Sequence, residues 1–274
     1  MFKFKLIIFF SISSVILSDA DRNEILGFQC SVSENATLDN EYQINLRNLM
    51  NSLAGNNPTQ AGFFTATSGK GSGKIYGLTQ CRADVSASDC AACIKNSTNS
   101  AAATCSGSKN VTVWLRWCLL RYSNTSFFGV LDESAMATAN ETNIDDPYVV
   151  YEGTKFMNEL ASTAPKMPLM FQTAVLDVGR FGKRYGMCQC SRDLGRRNCG
   201  SCLGSLLQSF RISIGNKRGW EIYGSSCSLW YHDFQFYFNY SIPSNSGYGK
   251  FIYHQGGVIG ILIPRLVFYF ITLY

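Results

Sequence analysis

Four cysteines recur along this chain with a single spacing. Cys81, Cys90, Cys93 and Cys118 are each followed, 109 residues later, by Cys190, Cys199, Cys202 and Cys227. Both sets read C-x8-C-x2-C and then a fourth cysteine. Neighbours keep the same offset: Tyr76-Gly77 with Tyr185-Gly186, Gln80 with Gln189, and Asp84 with Asp193. Tyr122 likewise matches Tyr231, and Phe127-Phe128 matches Phe236-Tyr237. One offset held over so many positions means duplication. It gives two domains of about 105 residues, a size that supports an independent core.

The start of the chain sets the redox compartment. Residues 1–20 read as a secretory signal peptide, with Lys3 and Lys5 as the positive region and Leu6 to Phe10 plus Val15 to Leu17 as the apolar stretch. Ser18-Asp19-Ala20 supplies the small-x-small cleavage site. All eleven cysteines follow it, so they enter an oxidising route where disulfides form. Six N-glycosylation sequons, at Asn35, Asn96, Asn110, Asn124, Asn140 and Asn239, agree with that route. The formal net charge of +5 contains no Lys/Arg run, so no nucleic-acid partner is expected.

The offset also bears on pairing. Cys30 and Cys105 correspond to Ala139 and Ile214 in the second copy. Losing one partner of a bridge strands a thiol, so joint loss points to a Cys30–Cys105 pair. Four cysteines per domain then remain, and spacing alone leaves their three connectivities open. Cys188 is left over, two residues from Cys190 on a presumed strand and therefore on the same side.

Leu46, Leu49, Met50 and Leu53 recur at helical spacing and predict a first helix over 42–54. Phe156 and Leu160 mark its counterpart over 154–163. Ser86 or Ser88 caps a second helix carrying Cys90 and Cys93 on one face. Phe63 to Thr67, Lys74 to Arg82, Val111 to Tyr122 and Ser126 to Val130 are rich in strand formers. With a short strand around Cys30, the order is strand, helix, two strands, helix, two strands. That non-alternating order predicts an α+β fold with helices on one face of an antiparallel sheet. The expected boundaries are domain 1 over 23–130, a polar linker over 131–146, domain 2 over 147–240 and a tail over 241–274. A second-domain start as early as residue 135 stays open.

The C-x8-C-x2-C run, with its preceding Tyr-Gly-x-x-Gln and following Cys-x3-Tyr and Phe-rich segments, resembles the ginkbilobin-homologous, or salt-stress response/antifungal, domain. Two copies after a signal peptide look like a plant cysteine-rich repeat secretory protein. The resemblance covers about Asn23 to Tyr240. It implies a five-stranded antiparallel sheet with two helices per domain. It also implies bridges Cys30–Cys105, Cys81–Cys90, Cys93–Cys118, Cys190–Cys199 and Cys202–Cys227, which leaves Cys188 a free thiol. In the family's antifungal founder, three residues hold mannose: an asparagine just after the first cysteine, an arginine and a glutamate. The matching first-copy positions are Ser31, Thr112 and Ser123, and none carries the founder's chemistry. The second-copy positions are Asn140, Glu221 and His232, of which only Asn140 matches.

Catalysis has little to stand on, and no enzyme is expected. The chain has two histidines, His232 and His254, and no Ser-His-Asp pattern assembles around either. Cys188 with His232 lacks the context of a nucleophile and base. The C-x2-C spacing also occurs in zinc sites, but in a secreted chain the disulfide reading prevails. No metal or cofactor is expected.

The tail leaves three outcomes open. Residues 256–274 are nearly all apolar but carry Pro264-Arg265 in the middle, against a spanning helix. Ser244-Asn245-Ser246 with a polar spacer over 247–255 fits a glycolipid-anchor signal. A simply secreted form is the third. The expected function is an apoplastic, non-enzymatic binding module of plant defence or stress responses, with cell-wall or microbial carbohydrate as the ligand class. The alternative is a membrane-tethered interaction ectodomain at cell contacts, similar to plasmodesmata-located proteins, whose partner is a cell-surface protein. Membrane contact is expected only through a C-terminal anchor.

Overall fold

The computed structural model describes residues 23–31, 40–56 and 62–238. The signal peptide, Asn35, Asn239 and the tail lie outside the described residues. The first domain runs β1 (Ile25–Cys30), α1 (Asn40–Asn56), β2 (Phe63–Ser68), β3 (Ile75–Cys81), α2 (Ala87–Thr104), β4 (Asn110–Leu115) and β5 (Cys118–Ser123). The second repeats it as β6 (Ala135–Ala139), α3 (Pro147–Thr163), β7 (Phe171–Asp177), β8 (Lys183–Cys190), α4 (Arg196–Ser209), a short α5 (Arg211–Ile214), β9 (Trp220–Gly224) and β10 (Cys227–His232). The sheet orders are β1-β4-β5-β3-β2 and β6-β9-β10-β8-β7, both antiparallel throughout.

Alternation along the strands sorts side chains into three cores. On β4, Val111, Val113 and Leu115 face α1 and α2, while Trp114 faces the other way. On β9 and β10, Trp220, Ile222, Leu229 and Tyr231 face the second helix pair, and Tyr223 and Trp230 face away. The third core, of Trp114, Phe171, Met187, Tyr223, Trp230 and Phe236, therefore lies between the two sheets. Helices form the outer layers and the sheets meet inside, as in sheet-on-sheet packing.

Each helix start has a local cause. Ser86 caps α2 by accepting from the Asp89 N–H, and Asp146 does the same for α3 by accepting from Tyr148, with Pro147 at the first helical position. That cap is why α3 begins at Pro147 rather than at 154. The repeated glycines have a packing cause. A Cβ on Gly77 would come within 2.8 Å of Leu53 Cδ1, and one on Gly186 within 2.8 Å of Met157 Sδ. Only glycine lets the first helix of each domain lie this close to its sheet.

Three expectations are corrected. The run from Val111 to Tyr122 is a hairpin turning at Arg116-Trp117, not one strand. Ser126 to Val130 is not a strand, because its aromatics leave the sheet: Phe127 packs under Arg121 at 4.3 Å, and Phe128 meets Tyr76 at 5.8 Å. The 131–146 segment read as linker contains β6, whose pairing with β9 opens the second sheet at Ala135. Its short, small-residue run carried no strand signal.

The five bridges are Cys30–Cys105, Cys81–Cys90, Cys93–Cys118, Cys190–Cys199 and Cys202–Cys227, all within one domain or the other. The second copy fills the space of its missing bridge with bulk. Cys30 pairs with Val111 across the β1–β4 ladder, and Ala139 pairs with Trp220 in the same register of β6–β9. Trp220 stacks on Tyr231 at 5.5 Å, and Ile214 joins the same core. Trp220, at the position of Val111, thus packs in the core beside Ala139 and Ile214, the counterparts of the bridged cysteines. Replacing Trp220 with alanine is expected to destabilise the second domain by about 3–5 kcal/mol in urea unfolding. Removing the 75-residue Cys30–Cys105 loop closure by double alanine substitution is expected to take about 4 kcal/mol from the first.

Candidate functional site

The two domains are joined by a reciprocal set of hydrogen bonds. Gln80 donates from Nε2 to the Cys190 carbonyl at 2.9 Å and accepts at Oε1 from the Arg192 N–H at 2.9 Å. Gln189 donates to the Cys81 carbonyl at 2.9 Å and accepts from the Ala83 N–H at 3.1 Å. Asp84 accepts from the Phe238 N–H at 2.9 Å, and Asp193 from the Gly129 N–H at 2.8 Å. Every partner pair repeats at the 109-residue offset, so the contact is isologous in the manner of a two-fold dimer.

At one edge of this interface the symmetry breaks and a charged cluster forms. Arg116, in the β4–β5 turn, reaches across to Glu221 of β9, with Nη1 to Oε1 at 3.1 Å, and also pairs with Glu24. His232 Nε2 lies 3.0 Å from Glu221 Oε1, and the Tyr223 hydroxyl donates to Oε2. A carboxylate requires a donor, so the proton of this histidine contact sits on Nε2. Asn140, at the end of β6, accepts at Oδ1 from the Gly219 N–H at 3.1 Å. The ring of Phe234, 44% exposed, lies 4.9 Å from the His232 ring, and buried Phe236 lies at the same distance.

Burial alone would raise the Glu221 carboxyl. The His232 hydrogen bond, the Arg116 charge and the Tyr223 hydrogen bond together outweigh burial and hold it below the ordinary carboxylate value. Burial, followed by the Glu221 charge, pushes the Tyr223 phenol well above its usual value.

The second-copy positions Asn140, Glu221 and His232 therefore come together, bridged by Gly219 and joined by Arg116. The first-copy positions take structural roles. Ser31 Oγ accepts from the Lys109 and Asn110 N–H groups at 3.1 Å each. Thr112 and Ser123 are buried, and Ser123 Oγ accepts from the Thr125 N–H. Asn96, Asn110, Asn124 and Asn140 are all exposed. Cys188 is free and fully buried in the core under α3 and α4, on the opposite face of the sheet from His232. Burial pushes its thiol well above the ordinary range. Sequence reasoning did not single out Arg116, Tyr223 or Phe234, because they join the cluster only through the turn and the interface.

The salt stress response/antifungal family model matches residues 29–125. Cysteine-rich repeat secretory protein 38 of Arabidopsis thaliana is 32% identical over 226 residues, covering 81% of this chain and 89% of that protein. The chain belongs to the cysteine-rich repeat secretory protein family. An antimicrobial ginkbilobin-2-like protein of Castanea crenata is 30% identical over 209 residues, covering 76% of this chain and 86% of its own. The tandem DUF26 ectodomain of the Arabidopsis thaliana cysteine-rich receptor-like protein PDLP8 shares the fold, with a TM-score of 0.65 at 24% identity. That likeness covers 76% of this chain and 98% of the ectodomain. The ectodomain of PDLP5 matches at 0.62 and 23%. Cysteine-rich repeat secretory proteins are secreted or extracellular. Among the described residues of this one, no helix is long and apolar enough to cross a membrane.

Two outcomes follow from the site. Alkylation is expected to label Cys188 only after denaturation without reductant, at one site per chain, as read by mass spectrometry. Glu221 is a depressed carboxylate, so its contribution is full above its unfolded pKa of about 4.3 and is lost as pH falls through the lower folded value. Thermal melts between pH 6 and pH 3 are expected to show a steeper acid loss in the wild type than in Glu221→Gln.

Proposed function

We propose that this chain is a secreted, non-enzymatic binding module of plant defence and stress responses, and that it recognises carbohydrate through its second copy. The observation that supports this is the convergence of Asn140, Glu221, His232 and Arg116 beside the exposed Phe234. A sugar presents hydroxyls that both donate and accept, and C–H faces that pack on aromatic rings. The cluster offers an amide, a carboxylate, a guanidinium and an imidazole next to such a ring. The antimicrobial name of the chestnut relative and the secretory names of the others accord with this setting.

Mannose in the founder's manner is not the expected ligand. Glu221 stands where the founder carries arginine, which reverses charge and shape, and the first-copy positions Thr112 and Ser123 are buried. A ligand whose hydroxyls lose their matched protein partners loses orders of magnitude in discrimination.

The test is a glycan array on the folded chain produced without N-glycans, followed by calorimetry on any hit. Binding is expected to weaken at least about tenfold in Glu221→Gln and His232→Ala, as loss of a charged hydrogen bond does. Mannose and mannan are expected to give no saturable heat. An array without hits, together with release of the protein from membranes by a phosphatidylinositol-specific phospholipase, would favour the tethered interaction ectodomain instead.

A further inference from the structure

Asn140 begins the sequon Asn140-Glu141-Thr142, and all three residues are exposed. Its side chain is not free to rotate at will, because Oδ1 is held by the Gly219 N–H. That contact fixes where Nδ2, the atom that receives an N-linked sugar, points. Gly219 locates the direction. A Cβ built on it would lie 3.1 Å from Asn140 Nδ2 and would collide with His232 Nδ1. Both nitrogens therefore approach the same glycine from the side a Cβ would occupy. His232 presents Nε2 to Glu221, which leaves Nδ1, on the Gly219 side, outside that contact. The Phe234 ring continues the same surface outward.

We infer that Asn140 carries an N-glycan whose first N-acetylglucosamine lies across Gly219 against the His232–Phe234 face, so that the protein's own sugar occupies the second-copy cluster. This rests on the reading of that cluster as a sugar-facing surface and gives it a regulator: the glycosylated chain has the site covered, the unglycosylated chain has it open. The proximal sugar offers a hydroxyl to His232 Nδ1 and an apolar face to the rim ring. The exposed sequons at Asn96 and Asn124 lie elsewhere, Asn96 on α2 and Asn124 after β5.

The chain is secreted from plant cells and its glycopeptides are analysed by mass spectrometry, with Asn140 expected to be occupied. Native protein is then treated with a peptide-N-glycanase. Release at Asn140 is expected to be at least about fivefold slower in the wild type than in Phe234→Ala, the scale of one lost aromatic contact. His232→Ala is expected to accelerate it as well, and denaturation to abolish the difference. An unoccupied Asn140, or equal native release rates in wild type and Phe234→Ala, overturns the inference. Neither readout involves an added ligand. A Thr142→Ala chain, which lacks the sequon but keeps the cluster, reports separately through the array whether the site binds free carbohydrate.

Discussion

Gln80 and Gln189 each engage both ends of one amide with the backbone of the opposite domain. Both side chains are buried, and a buried amide with an unmet partner carries a penalty of about 1–3 kcal/mol. Four hydrogen bonds of this kind have one mutual solution, so they fix how the two sheets stack. The aromatic layer between the sheets contributes burial, and the glutamines contribute register. The aspartates at 84 and 193 extend the lock by catching the segment that leaves the last strand of the other domain. Phe236 and Tyr237, after the last strand of the second domain, therefore belong to the interface and not to a sheet. Duplication preserved an interaction as well as a fold.

Within that symmetric frame the copies have diverged in how they hold themselves together. The first relies on a bridge from β1 to the end of α2, and the second on an indole in the matching ladder position. The two solutions act on different states. A cross-link mainly restricts the unfolded chain, whereas a stacked ring stabilises the folded one by burial. Cys188 fits the same picture: fully buried beneath the helices, its thiol behaves as one more apolar core group.

The copies also differ at the positions that match the sugar-holding residues of the antifungal founder. In the first copy they are absorbed into backbone and core. In the second they face the interface edge, where Arg116 from the other domain balances Glu221. A carboxylate in that position is tolerable only because three donors surround it, one of them from a turn in the other domain. The cluster is thus a property of the tandem and not of either copy alone.

The cysteine spacing revealed the duplication, the N-terminal pattern the oxidising setting, and helix- and strand-period residues the α+β order, because all three signals are local along the chain. The joint absence of cysteine at 139 and 214 was already visible as a statement about Cys30 and Cys105. The repeated Gln80/Gln189 and Asp84/Asp193 were equally visible, but their purpose was not, since each side chain's partner belongs to the other copy. β6 was missed because Ala135 to Ala139 lacks strand-like alternation and is held by the ladder to β9. Phe127 and Phe128 carried strand propensity but leave the sheet to pack on Arg121 and Tyr76. Arg116 reads as a turn residue until the sheets are stacked. Tertiary structure alone decided these points, because hydrogen bonds and ion pairs between domains depend on a relative placement that no local pattern encodes.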